Sequence, residues 1–334
     1  MSKLKLAVLL LLFVNFILAG KVIPLPDLQK AEDIIVDQNK VLITQFPLIY
    51  IYSLKDFSLI TKFGKAGDGP EEFSRYIRIR LTPDHIVVDS NLKMSFFTHD
   101  GKFVKEIRSP AVPHLNWYTP LGKKIVATAL HGMFTESYQT VNIFDSNLEK
   151  IKEVIRWKRP LQPGKFNPTD RDMQGGEFTV YDNKIFVLLR EKGNIEVFAD
   201  DGKQLYSINY DYEKIPFTKD DEKEFLDFYK VNPETRQFFD ILKKRFDFPD
   251  YYPVARQMVV TGDKIYVLTN KTKEKKSEFV IFDISGKFLK KVMLPFANTN
   301  AREPSPFTIH NEELLQLIDN EKTEVWELHF YPIK

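Results

Sequence analysis

The chain has 334 residues, 43% of them hydrophobic and 28% charged, with 14 glycines, 19 prolines and no cysteine. That apolar content builds a large packed core and excludes a disordered chain. The missing cysteines exclude a disulfide framework, thiolate metal sites and a cysteine nucleophile. The formal net charge of +2 is too balanced for nucleic-acid binding by bulk charge.

The first element is a targeting segment. Ser2-Lys3-Leu4-Lys5 is followed by an apolar run over residues 6–19, interrupted only by Asn15. A short basic stretch and a core of this length match a secretory signal peptide and fall short of a membrane span. Gly20 suits the position before cleavage, whereas Leu18 is larger than a signal peptidase prefers. No cysteine follows, so the lipoprotein route is closed. The expected division is a signal peptide over 1–20 and a mature chain over 21–334. That chain is formally neutral, has no later run long enough to span a bilayer, and is read as exported, periplasmic or extracellular.

Six β-type runs follow, ending on Tyr52, Phe97, Phe144, Phe198, Phe282 and Tyr331. The residues one and three places before each anchor are apolar, the period-two pattern of a strand with one buried side. Leu59, Val104, Ile151, Leu205 and Leu289 recur seven residues after the first five anchors. Between anchor and return strand stand Asp100-Gly101-Lys102, Asp201-Gly202-Lys203, Ser285-Gly286-Lys287 and Ser146-Asn147. Gly and Asn tolerate the positive φ of a tight hairpin. An earlier strand precedes each hairpin, for example Val41-Leu42-Ile43 and Ile265-Tyr266-Val267. Runs around residues 76–80 and 256–260 supply a first strand. Four strands at a period of about 45 residues predict β-propeller blades.

The predicted fold is all-β: six four-stranded antiparallel blades with a helical insertion at about 211–250. Only three residues follow Tyr331, too few for an outer strand of the last blade. Val22-Ile23-Pro24-Leu25 is expected to supply it and close the ring. Pro24 is acceptable on an outer edge, where one N–H faces solvent.

Phe63-Gly64-Lys65-Ala66-Gly67-Asp68-Gly69-Pro70-Glu71-Glu72-Phe73, Ile86-Val87-Val88-Asp89-Ser90-Asn91 and Phe97-Thr98-His99-Asp100-Gly101-Lys102-Phe103 together resemble one NHL-type repeat. The chain is similar to exported bacterial six-bladed β-propeller proteins. The full motif occurs once, and the other units keep its hairpin half. The resemblance implies the fold and leaves the activity open, because propellers serve many roles.

The long connections are expected on one rim. They are the blade-to-blade segments 64–75, 157–176 and 210–253 and the second-to-third loops 129–139 and 270–277. Loops on a rigid scaffold usually carry the functional surface. In the insertion, Thr218 caps a first helix with Asp220, Asp221 and Glu222 in its first turn, and Phe225, Leu226, Phe228 and Tyr229 recur at helical spacing. Asn232 and Pro233 are expected to open a second helix with a stripe of Phe238, Phe239, Leu242 and Phe246. That apolar stripe is expected to pack on the propeller rim.

Candidate chemistry is sparse. His114 and His131, both on the third blade, are a possible pair of metal ligands without an evident third. Glu32, Asp33, Glu177, Arg78, Arg80 and Arg256 stand at first-strand positions able to reach the central channel. Three arginines among them oppose a cation site, so no metal and no cofactor is expected. Asp89-Ser90-Asn91 is read as a turn fixed by side-chain to backbone bonds, and Lys271–Lys276 as a solvated loop tip. No phosphate loop, nucleophile elbow or zinc-helix motif is present. At least one of Arg78, Arg80 and Arg256 is expected to point into the channel and bind an anionic group by its guanidinium fork, with Trp117 and His131 on the same rim. The opposing expectation is that the arginines pair with Glu32, Asp33 or Glu177 and only hold the ring. The functional reading is a non-catalytic binding or scaffolding propeller for a protein or small anionic ligand. The alternative is a lactonase- or lyase-like enzyme at the channel mouth.

Overall fold

The computed structural model describes residues 20–334 except 38, 75–76, 91, 109–113, 133–137, 159–164, 166–176, 234 and 301–302. Six four-stranded antiparallel sheets form a ring of blades. Each blade starts on an innermost strand. These are Asp33–Asp37, Arg78–Leu81, His114–Leu121, Glu177–Tyr181, Ala255–Thr261 and Phe307–His310 in blades one to six.

The ring closes as the sequence requires. Val22–Leu25 pairs antiparallel with Val325–Pro332, Pro24 standing opposite Glu327. The sixth blade therefore takes its outer strand from the start of the chain and its other three from the end.

Six apolar clusters fill the six blade–blade interfaces. Leu315, Trp326 and Leu328 of blade six meet Val41, Ile43 and Tyr52 of blade one, and Leu42, Ile49 and Ile51 meet Ile79, Ile86 and Phe97 of blade two. Val41 and Ile43 thus serve one interface and Leu42 the next. The period-two expectation of one buried side is corrected here. Middle strands such as Lys40–Gln45 and Lys93–Phe97 are buried on both faces, because neighbouring blades cover each side. The apolar repeats Val104, Ile151, Leu205 and Leu289 are exposed instead, since outer strands have no further strand beyond them.

The third-to-fourth hairpins follow one scheme. Gly101, Gly202 and Gly286 take φ of 85°, 73° and 92°. In the Ser146-Asn147 hairpin the positive φ falls on Leu148, not on the expected Asn147, and in blade one it falls on Phe57. The position abuts the preceding blade. A Cβ at Gly101 would lie 2.7 Å from the Phe63 ring, and one at Gly286 2.7 Å from Ile208. Where the neighbour leaves room, the residue fills it. The Phe57 ring meets Phe330 edge-on at 5.5 Å, and Leu148 joins the cluster between blades two and three. Gly122, with φ of 58°, has open space around it. Gly122→Ala is therefore expected to cost about 1 kcal/mol of strain, and Gly101→Ala about 1–3 kcal/mol more from overpacking. Urea unfolding of the two variants tests this, and equal losses would contradict it.

Lys93 organises the segment between blades one and two. Its buried ammonium donates to the carbonyls of Gly69 at 2.9 Å and Glu72 at 2.6 Å, while the Glu72 carboxylate accepts from Gly69 N–H.

Residues 270–277 are not the expected long loop. Strands Lys264–Lys273 and Lys276–Asp283 run on to a two-residue turn, Glu274-Lys275, both at positive φ. Residues 272–276 form the solvated tip expected, and Lys271 at its base pairs with Glu213. Much of the 129–139 and 157–176 connections lies outside the described residues.

The insertion holds two short helices among the described residues. Helix α1, Lys219–Val231, is capped by Thr218 in a reciprocal box with Asp221. The expected second start at Asn232-Pro233 is corrected. Asn232 is the C-cap of α1, its N–H closing on Phe228 O, with an extended backbone at ψ 124°, as the residue before proline prefers. A 3-10 turn, Arg236–Phe238, then leads into α2, Phe239–Lys243. The insertion packs its rings chiefly on one another. Phe225, Tyr229, Phe246 and Phe248 meet within 4.8–5.9 Å, and Phe217 adds Tyr252 at 4.9 Å. Backbone bonds Phe217 N–H to Asp250 O and Tyr252 N–H to Ile215 O pin its base. Phe238, expected in the packed stripe, is exposed.

Candidate functional site: the mouth of the central channel

All six innermost strands line a central cavity of about 780 Å³. They run in one direction, from the rim carrying the long connections to the rim of short turns. Early strand residues therefore mark the loop-rich mouth. Glu32, Asp33, Arg78 and Glu177 stand there, joined by Arg190 from the end of a second strand. Val260, Thr261, Tyr181 and His310 mark the far mouth.

Arg78 and Arg80 both reach the channel because Ile77 and Ile79, alternating with them, are buried in the interface with blade one. A bulge in blade three prepares the surface facing them. Pairing jumps from Asn116–Thr128 to Thr119–Val126, and Trp117 takes φ of 58°. Such bulges re-aim a side chain. The Trp117 indole lies under the Arg78 guanidinium at 3.8 Å and 5.7 Å from that of Arg80, as cation–π attraction favours. The backbone N–H of Trp117 donates to Asp89 Oδ2 at 3.1 Å.

Asp89 is the residue that sequence reasoning missed. The sequence places it in a turn fixed by side chains, but backbone bonds between Ser90 and Lys93 close that turn, and the Ser90 hydroxyl bonds the backbone of Ser74 instead. Asp89 instead ties blade two to blade three. It is 3% exposed, and burial raises its carboxyl to about 6 against the pull of Arg78 and Arg80. Burial also raises Asp33, opposed by Arg80 and then Arg78. Nothing in the local sequence singles out Asp89, because its contacts are on the next blade. Buried polar atoms here without a hydrogen-bond partner among the described residues include Trp117 Nε1 and Thr119 Oγ1. Thr119 lines the cavity, as do Thr179 and Thr308.

Arg256 and His131 lie elsewhere, and Glu177 stays at the mouth in an ion pair. Arg256 is turned away from the channel lining and buried, donating to Asn298 Oδ1 at 2.8 Å over the Phe296 ring. Burial lowers its guanidinium to about 10. His131 stacks on Tyr138 at 4.6 Å and does not line the cavity. The side chain of His114 lies outside the described residues. Glu177 pairs with Arg190 at 3.4 Å and accepts from Met258 N–H, so it ties blades four and five. Among the described residues no group of three or more His, Asp or Glu side chains converges, and no helix is long and apolar enough to cross a membrane.

No protein-family model matches the chain, and no curated protein is similar to it in sequence. Solved structures share its fold. A Bacteroides vulgatus member of the DUF4221 family matches with a TM-score of 0.56 and 11% identity, over 94% of this chain and 97% of that one. A Bacteroides fragilis protein described as exported matches with a TM-score of 0.54 and 13% identity, over 94% and 95%. The chain is thus a six-bladed β-propeller with bacterial structural neighbours.

Proposed function

We propose that this protein is an exported, non-catalytic binding propeller of NHL-like type that takes an anionic group of a small ligand or protein partner at the loop-rich mouth of its channel. The observation that carries the reading is the placement of Arg78 and Arg80 on the channel side of one inner strand, against Trp117. Their guanidinium forks suit carboxylate or phosphate, and Thr179 and Thr308, on blades four and six, also line the cavity. The leader-like residues 2–19 support export, and one structural neighbour is described as exported.

Inorganic phosphate, succinate and citrate, titrated calorimetrically into the chain from Lys21 onward, test the reading. At least one is expected to bind, and Arg80→Met to weaken it about tenfold or more, the loss of a charge-assisted hydrogen bond. Arg256→Met, once shown to be folded, is expected to leave binding unchanged. Affinity that survives loss of both Arg78 and Arg80 would remove the site from the channel.

A further inference from the structure

The helical insertion presents a second surface, distinct from the channel. Most of its aromatic rings pack inside the lobe, Tyr251 is exposed near its base, and three apolar side chains are left out at the other end. Val231 at the end of α1 is 71% exposed, Phe238 51% and Ile241 63%. Phe238 and Ile241 are three residues apart across the start of α2 and so share a face. Val231 precedes them at the end of α1, and the chain between is folded tightly, Thr235 N–H and Arg236 N–H both closing on Asn232 O. This end of the lobe is also basic. Lys230, Arg236, Lys243, Lys244 and Arg245 are all exposed, and residues 230–245 contain only two acids, Glu234 and Asp240. The opposite end of α1 is acidic, with Asp220, Asp221, Glu222 and Glu224 against Lys219 and Lys223, and Asp227 lies one turn before Val231. The lobe is therefore polarised, with acids towards its pinned base and cations around an apolar tip.

We propose that this tip docks on an anionic lipid surface. Cations around protruding apolar side chains are the composition of interfacial membrane contacts. The cations are drawn to the headgroups, and the apolar groups enter the headgroup–acyl boundary. Charge complementarity favours an anionic bilayer, and the three apolar side chains add contacts that a purely acidic partner leaves unused. The lobe suits this role mechanically, since its own aromatic core and backbone pins hold the tip without help from the contact surface.

Sedimentation of the chain from Lys21 onward with vesicles tests the proposal, because that chain carries the whole described fold. It is expected to sediment with phosphatidylglycerol-containing vesicles and not with pure phosphatidylcholine vesicles, and to be released by high salt. Phe238→Ser with Ile241→Ser is expected to weaken vesicle binding about tenfold, and Lys243→Glu with Lys244→Glu to abolish it. Both pairs are expected to leave the melting temperature in place because the altered side chains are exposed. Absence of binding to phosphatidylglycerol vesicles would overturn the proposal, as would binding that survives both pairs. Capture of polyglutamate that depends on Lys243 and Lys244 but not on Phe238 and Ile241, without vesicle binding, would overturn it in favour of an acidic protein partner.

Discussion

A chain lacking residues 21–30 is expected to melt about 10–20 °C below the chain that starts at Lys21. The deletion removes Val22–Leu25, which pairs with Val325–Pro332, and takes Leu25 and Leu28 out of the cluster that joins blades six and one. Two buried leucines and one strand of a ladder account for a loss on the order of 5 kcal/mol or more. That is a large share of the about 5–15 kcal/mol by which a native domain is stable. Losing the strand also bares the edge of Val325–Pro332, so the truncated chain is expected to aggregate more readily. Differential scanning calorimetry with a parallel light-scattering record checks both effects. If the truncated chain melts with the longer one, the ring is not held by its N-terminal strand.

Replacing Asp89 by asparagine is expected to change how stability responds to pH. Burial places the folded-state carboxyl at about 6, above its ordinary 3.8. Between these values the folded chain holds a proton that the unfolded chain has released. Stability therefore falls as pH rises from about 4 to about 6 and stays lower above that. A shift of about two pKa units corresponds to about 3 kcal/mol. The asparagine side chain of the variant keeps an oxygen to accept the backbone N–H of Trp117 but cannot ionise. The stability difference between the native chain and Asp89→Asn is thus expected to move by about 3 kcal/mol against the native chain between pH 4 and pH 7. Urea unfolding at those two pH values measures it, and parallel curves would refute the assignment. Ligand binding should follow the same titration. The charged groups around the site are Arg78 and Arg80 on blade two, Asp33 and Glu32 on blade one, and the paired Glu177 and Arg190 on blade four. Protonating Asp89 leaves the two arginines less neutralised, so an anion whose own charge is constant over this range, such as sulfate, is expected to bind more tightly below pH 6 than at pH 7.5.

Much of the architecture was legible in the chain because it is local. Turn residues after the third strand mark four hairpins, and six apolar runs count six blades. The apolar run Val22-Ile23-Pro24-Leu25 pointed to the strand that closes the ring, and Thr218 with the acids after it marked the start of α1. Alternation of Ile77 and Ile79 with Arg78 and Arg80 placed two arginines on one face of a strand.

Tertiary structure decided the rest. Arg256 has the same kind of start-of-strand position as Arg78, but Asn298 and Phe296 from the end of blade five draw it away from the channel. His131 is taken by Tyr138 on the neighbouring strand, and Asp89 acts on the next blade, beyond the reach of any sequence period. Whether a hairpin position holds Gly101 or Leu148 depends on what the preceding blade offers it. Sequence by itself determined the number of blades and the closure of the ring, since hydrophobic period and turn chemistry act within a few residues. Which side chains meet at the channel mouth, and which are left at the tip of the insertion, was decided only when blades far apart in the chain were packed together, because burial and partner charges come from that packing.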